Sequence, residues 1–342
     1  MDFQLLQELI KAGYINRQAH PSGELFIYNY SAKAQYDRIW NEWTMQCRGL
    51  IMDKDYHIVA RPFQKFFNLE EHKQENIPMG NLQENFEVYE KLDGSLGILY
   101  LHENQFFIAT RGSFQSEQSR RATHLLYSKY CHVIPHFEPN KTYLFEIIYP
   151  ENRIVVDYGE KEDLILLAVI DNQTGKDEPL PQIGLPLVKR YDGITDLTTL
   201  KTLQENNKEG FVIKFASGFR VKVKFEEYVR LHRILTQISS KNIWEYLSTN
   251  QSFDQILESV PDEFYEWVKK TVKELNTAHR AIENECKSNF KDLGNRKETA
   301  LYFQKQAYSS VLFAMLDGKD YSQIIWRMVK PTYEKPFKME EK

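Results

Sequence analysis

The hydrophobic period of this 342-residue chain changes once, and that change limits its fold more than any other feature. From about residue 24 to 235, short apolar runs such as Leu25–Tyr28, Gly49–Met52, Ile58–Ala60 and Phe106–Ala109 are separated by turn residues, the pattern of strands. Leu164–Ile170 is apolar throughout, which predicts a strand covered on both faces. Short helices are expected over 2–12, 116–130 and 196–206, and a loop over 172–187. Beyond about 237, apolar residues recur every three or four positions. Helices are predicted over 261–289, opened by Pro261, over 296–316, stopping at Asp317-Gly318, and over 321–329, ahead of Pro331. The expected fold is α+β, with antiparallel sheets and flanking helices over 1–238 and an all-helical domain over 239–342.

Acids and bases nearly balance, 48 against 44, giving a net charge of −4 and a pI near 6.2, so any nucleic-acid surface has to be local. Residues 210–242 offer one. Lys214, Arg220, Lys222, Lys224, Arg230, Arg233 and Lys241 face only Glu226 and Glu227, although a solvated charged face accounts for the same run. Cys47, Cys131 and Cys286 are too scattered for a disulfide framework or a Cys-x-x-Cys metal site, which points to a reducing, cytoplasmic setting. The start Met1-Asp2-Phe3-Gln4 is unlike a signal peptide, and no apolar run is long enough to span a bilayer. A monomer without membrane association is expected.

Lys91 is the first candidate for chemistry. It sits in Glu90-Lys91-Leu92-Asp93-Gly94-Ser95, between the apolar stretches Phe86–Tyr89 and Leu96–Tyr100. A lysine at the end of an apolar strand loses its charge easily and then becomes a nucleophile. A hairpin turn after an edge strand explains the Asp-Gly pair equally well. Downstream, Glu146 is a lone acid in Tyr143–Ile148, and Glu209 opens Glu209-Gly210-Phe211. Lys222 and Lys224 alternate with Val221, Val223 and Phe225, which puts both ammonium groups on one strand face. Two point charges on one face suit a triphosphate, and also suit the wet side of an amphipathic strand.

Lysine, acid, acid-glycine and a lysine pair, in that order, resemble motifs I, III, IV and V of the covalent nucleotidyltransferases, the superfamily of ATP- and NAD-dependent ligases and capping enzymes. Upstream, Cys47-Arg48-Gly49-Leu50-Ile51 and Lys65-Phe66-Phe67-Asn68 resemble the phage T4 RNA ligase 1 group and the ligase module of fungal tRNA ligases. Pro150–Val155 is similar to the segment that follows the ribose-binding acid in that group. The helical stretch after the last motif also agrees with it, whereas DNA ligases and capping enzymes continue into an OB-fold.

The resemblance implies a nucleotidyltransferase domain that uses ATP and Mg²⁺ (or Mn²⁺). It implies Lys91 as the nucleophile that carries AMP, Lys222 and Lys224 as catalytic and phosphate-binding lysines, and Glu209 as the carboxylate that positions the metal. Glu146 would hold the ribose hydroxyls. Arg48 and Lys65 would engage the triphosphate, and Glu90, Phe67 and Tyr228 would lie beside the nucleotide. Arg111, in Thr110-Arg111-Gly112-Ser113, stands where the family has a lysine, and arginine keeps the charge while forking onto phosphate. The implied activity is ligation of RNA with 5′-phosphate and 3′-hydroxyl ends in RNA repair. A DNA ligase or capping-type enzyme, and an RNA-binding protein on a non-catalytic scaffold, are the alternatives.

Overall fold

The structure, a computed structural model, describes residues 2–72, 82–229, 232, 239–250 and 265–331. Arg230, Arg233, Pro261 and the charged tail after Pro331 lie outside the described residues. The chain divides into two compact units, Met1–Leu235 and Thr236–Lys342.

The first unit holds three antiparallel sheets. The first is β1 (Ile15–Ala19), β2 (Leu25–Tyr30), β3 (Arg48–Asp53) and β4 (Ile58–Ala60), in that order. The second has the order β10-β9-β8-β6-β7, built from β6 (Ser95–His102), β7 (Gln105–Ala109), β8 (Lys141–Ile148), β9 (Asp163–Asp171) and β10 (Asp177–Glu178). The third has the order β11-β5-β12-β13, from β5 (Phe86–Lys91), β11 (Arg190–Tyr191), β12 (Gly210–Phe215) and β13 (Arg220–Lys224).

β9 is the expected strand over 164–170, and it is covered on both faces. Ala168 and Ile170 pack against Leu25, Ile27 and Ile51 of the first sheet. Leu164 and Leu166 pack against Leu125 and Leu126 of the helix Glu117–Ser128. The third sheet buries Val88, Phe211, Ile213 and Val221 in a core of its own. The helix Phe3–Lys11 seals the first sheet with Leu6 and Leu9.

The regular elements of the second unit, among its described residues, are all helices: Ser240–Thr249, Tyr265–Asn289, Arg296–Phe303, Ser309–Leu316 and Ser322–Met328. The single helix expected over 296–316 is two. Phe303, Val311 and Leu312 are all buried in one core. On a continuous helix Leu312 would lie about 180° around the axis from Phe303. A break lets both reach the same core, and Lys305 and Gln306 close it with tight turns onto Tyr302 and Phe303. No helix among the described residues is long and apolar enough to cross a membrane.

Candidate active site

Lys91 ends β5, and β5 is an inner strand with β11 on one side and β12 on the other. The Asp-Gly pair that follows makes no hairpin, because β5 and β6 belong to different sheets. The chain crosses from the third sheet to the second at Leu92-Asp93-Gly94, and a cavity of about 860 Å³ opens at that seam.

Strand pairing brings the charges together. Gly210 is the register partner of Lys91 on one side and Lys224 on the other, so three strands share one rung. Glu209, immediately before that rung, is 3% exposed, too buried for a carboxylate without partners. It has two. Its Oε2 lies 2.7 Å from Lys91 Nζ, and its Oε1 lies 3.4 Å from Lys224 Nζ. Gly210 permits this arrangement. Its φ is +148°, and a Cβ there would stand 2.0 Å from the Val223 carbonyl oxygen.

Across the seam, Glu146 on β8 faces the same cavity. Its Oε1 accepts the Gly94 N–H at 2.9 Å. Gly94 has no room for a side chain either, since a Cβ would meet the Ile147 carbonyl oxygen at 2.5 Å. Burial raises the Glu146 carboxyl to about 8, the Lys91 ammonium opposing and Glu209 adding to the rise. Folded chains therefore hold a proton that unfolded chains release above the ordinary value of 4.5. Stability present in acid is expected to fall as pH climbs from about 4.5 to about 8. Glu146→Gln should remove most of that slope. Urea midpoints of both proteins at pH 5.5 and 8.5 check this, and parallel curves would contradict it.

Asp93 carries the strongest anchoring, a role that its place in an Asp-Gly pair conceals. It is 3% exposed. Its Oδ2 accepts the Val155 and Val156 N–H groups, both at 2.8 Å, and its Oδ1 accepts the Tyr228 hydroxyl at 2.8 Å. This carboxylate ties together the Leu92–Gly94 crossing, the 150–156 segment and Tyr228, whose ring lies 5.3 Å from Lys224 Nζ.

The expected site residues fall into two places. Arg48, Glu90, Lys91, Glu146, Glu209, Lys224 and Tyr228 line the cavity. Lys65, Phe67 and Arg111 gather elsewhere. Lys65 Nζ lies 5.1–5.5 Å from the ring centroids of Phe67, Tyr30 and Trp40, and Arg111 donates to the Tyr30 hydroxyl at 3.4 Å. Lys222 is buried where Phe67–Leu69 runs beside β13, bonded through its backbone to Phe67 and Leu69, and it is not among the cavity-lining residues. The phenylalanines at the cavity are instead Phe63 and Phe66, with the Arg48 guanidinium 5.6 Å from the Phe66 ring. The segment holding these phenylalanines has no regular structure, so no period indicated which of them would face the site.

A family model described as RNA ligase, of the T4 type, matches residues 46–229, more than half of the chain. The chain belongs to this RNA ligase family. A protein of Autographa californica nuclear polyhedrosis virus, provisionally named a bifunctional polynucleotide kinase/RNA ligase, is 26% identical over 78% of this chain and 41% of its own length. An RNA ligase of a Rhodothermus phage is 25% identical over 87% of this chain and 86% of its own. A protein of Thermovibrio ammonificans, provisionally named an RNA ligase, is 31% identical over 62% and 58%. The chain thus spans less than two thirds of the first and third of these relatives.

The cavity also suits a divalent ion. Glu209 and Glu146 face it singly, and among the described residues neither belongs to a group of three close ligands. Magnesium and manganese need little more than one or two carboxylates, water and substrate phosphate oxygens.

Proposed function

We propose that this member of the RNA ligase family is an ATP-dependent enzyme that joins 5′-phosphate and 3′-hydroxyl RNA ends in RNA repair, tRNA being one candidate substrate. The observation that carries the reading is the convergence of Lys91, Glu146, Glu209 and Lys224, from separate strand regions, on one cavity. Lys91 Nζ attacks the α-phosphorus of ATP. The N–P bond forms, the bond to pyrophosphate breaks, and the amine gives up a proton. The AMP then passes to the RNA 5′-phosphate, and the 3′-hydroxyl displaces it.

Each residue is proposed in a role that its placement supports. Glu209 holds the Lys91 ammonium in place, and Lys224 supplies positive charge for the phosphates. Glu146 accepts ribose hydroxyls, while Arg48, Glu90 and Tyr228 border the nucleotide. Lys65, Phe67, Arg111 and Lys222 form an adjoining basic and aromatic region toward the triphosphate end. A Mg²⁺ or Mn²⁺ ion held by Glu209 would neutralise phosphate charge. Incubation with α-labelled ATP and Mg²⁺, followed by 5′-phosphorylated single-stranded RNA, tests the reading. It predicts an amine-linked AMP adduct that RNA consumes. Labelling by GTP instead, or no adduct at all, would count against it.

Lys224→Ala should slow adduct formation about a hundred- to a thousandfold, the usual cost of one electrostatic transition-state contact. Lys222→Ala should slow it as well and should also lower stability, because it empties a buried position. A folded Lys224→Ala protein that labels at the wild-type rate would refute the role.

We also propose that residues 1–238 carry nucleotide transfer and that residues 239–342 select the RNA, the whole acting as a cytoplasmic monomer. Every residue given a chemical role above precedes Arg230. A soluble chain ending near Ser240 is expected to label with ATP yet lose its preference among structured RNAs. A folded truncation that cannot label would reassign the helical unit to the chemistry.

A further inference from the structure

A second cluster of ligating side chains lies among hairpin connections outside the cavity. The β1–β2 connection carries His20, Ser22 and Glu24, while His102 ends β6 and Glu103 follows it in the β6–β7 connection. Glu24, His102 and Glu103 each offer one ligand atom, and these atoms lie within 4.8 Å of one another. The His102 side chain is only 10% exposed, yet among the described residues neither of its ring nitrogens has a hydrogen-bond partner. Its Nε2 approaches Glu103 Oε1 at 3.8 Å, too far for a hydrogen bond. Nor is either glutamate paired with a lysine or arginine among the described residues, so two carboxylates face one another without a cation. The His20 ring packs 4.5 Å from the His102 ring at 65° and 5.0 Å from Phe114, and its Nδ1 is engaged by Ser22 Oγ at 2.9 Å.

We propose that this is a binding site for a divalent transition-metal ion of the zinc class. The ligands are His102 Nε2 and one oxygen each from Glu24 and Glu103, with water completing a tetrahedron. Zinc bonds of roughly 2.0–2.2 Å to nitrogen and oxygen require ligand atoms about 3.3–3.5 Å apart. Rotation of two exposed glutamates closes the remaining gap. An imidazole among the ligands selects zinc and its neighbours over magnesium or calcium. His20 orients the His102 ring by packing. The bound ion clamps a connection of the first sheet to one of the second, at a distance from the nucleotide chemistry.

A similar-looking group, Asp53, Asp55 and His57, lacks these properties. Asp53 Oδ1 is already occupied by the Asp55 and His57 N–H groups, and Oδ2 by the His57 ring.

The test is calorimetric titration of the full chain with zinc chloride, paired with its melting temperature with and without zinc. The wild type should take up one zinc and melt higher with it. Glu24→Gln and Glu103→Gln, both exposed and without effect on folding, should each weaken binding by at least about tenfold. His102→Asn should abolish it, and Asp53→Asn should leave it unchanged. No uptake by the wild type, or uptake of equal strength in both glutamate variants, would overturn the proposal.

Discussion

Lys91→Ala is expected to form no AMP adduct and to give no overall ligation, while still sealing RNA that already carries a 5′-adenylate. The first step as proposed needs the Lys91 amine, and no other lysine among the described residues has its position. Lys224 is held on the far side of the shared Glu209 carboxylate, one strand beyond β12. The last step uses a preformed leaving group and needs no lysine nucleophile. Removing the ammonium also takes from Glu209 its shorter ion pair and leaves the longer one to Lys224, so some loss of stability should accompany the loss of labelling. Gel labelling with α-labelled ATP and a sealing assay on pre-adenylated RNA read the two steps separately. An adduct of normal yield, or equal loss of both steps in a folded protein, would remove Lys91 from this role.

Gly210→Ala is expected to cost about 3 kcal/mol or more and to abolish labelling in whatever fraction still folds. The added carbon would collide with backbone, the Val223 carbonyl oxygen at 2.0 Å and the Lys224 Cα at 2.8 Å, where no rotamer change can give relief. Relief requires β12 and β13 to part, which separates Glu209 from Lys224. Gly218→Ala is the control. It also has a positive φ, of 86°, but an added carbon would meet only Asp177 Oδ2 at 3.8 Å, an ordinary contact, so it should carry only the conformational cost. Urea unfolding of both variants decides the matter, and similar losses in the two would show that crowding at the rung is unimportant.

These two residues illustrate what the sequence displayed and what it hid. Lys91, Glu146 and Glu209 stood out because each is a charge in or at the end of an apolar run, where burial demands a reason. Alternation also put Lys222 and Lys224 on one strand face, of which Lys224 lines the cavity and Lys222 does not. The glycine after Glu209 was visible as a letter, but its necessity depends on β13 being its neighbour, a pairing between distant segments. Asp93 was concealed more thoroughly, since an Asp-Gly pair ordinarily signals a turn, and the partners that bury it come from residues 155, 156 and 228. Around Phe63, Phe66 and Phe67 there is no strand or helix period to set direction, so the lining ring could not be chosen. The helix expected over 296–316 failed for a related reason: local periodicity was sound, but burying both Phe303 and Leu312 in one core required a break.

The rung of Lys91, Gly210 and Lys224 also sets a schedule for the newly made protein. Lys91 precedes its two partners by more than a hundred residues, and the last of them belongs to the final strand of the sheets. A ribosome that has made the first two hundred residues has already produced Lys91 and Glu146, but Glu209 and Lys224, the ion-paired half of the site, are still to come. Loop closure of that length is slow, and the pairing it permits comes late. If Lys91 carries AMP as proposed, self-adenylation becomes available only when β13 docks, and the AMP mark would serve as a chemical receipt for completed sheets.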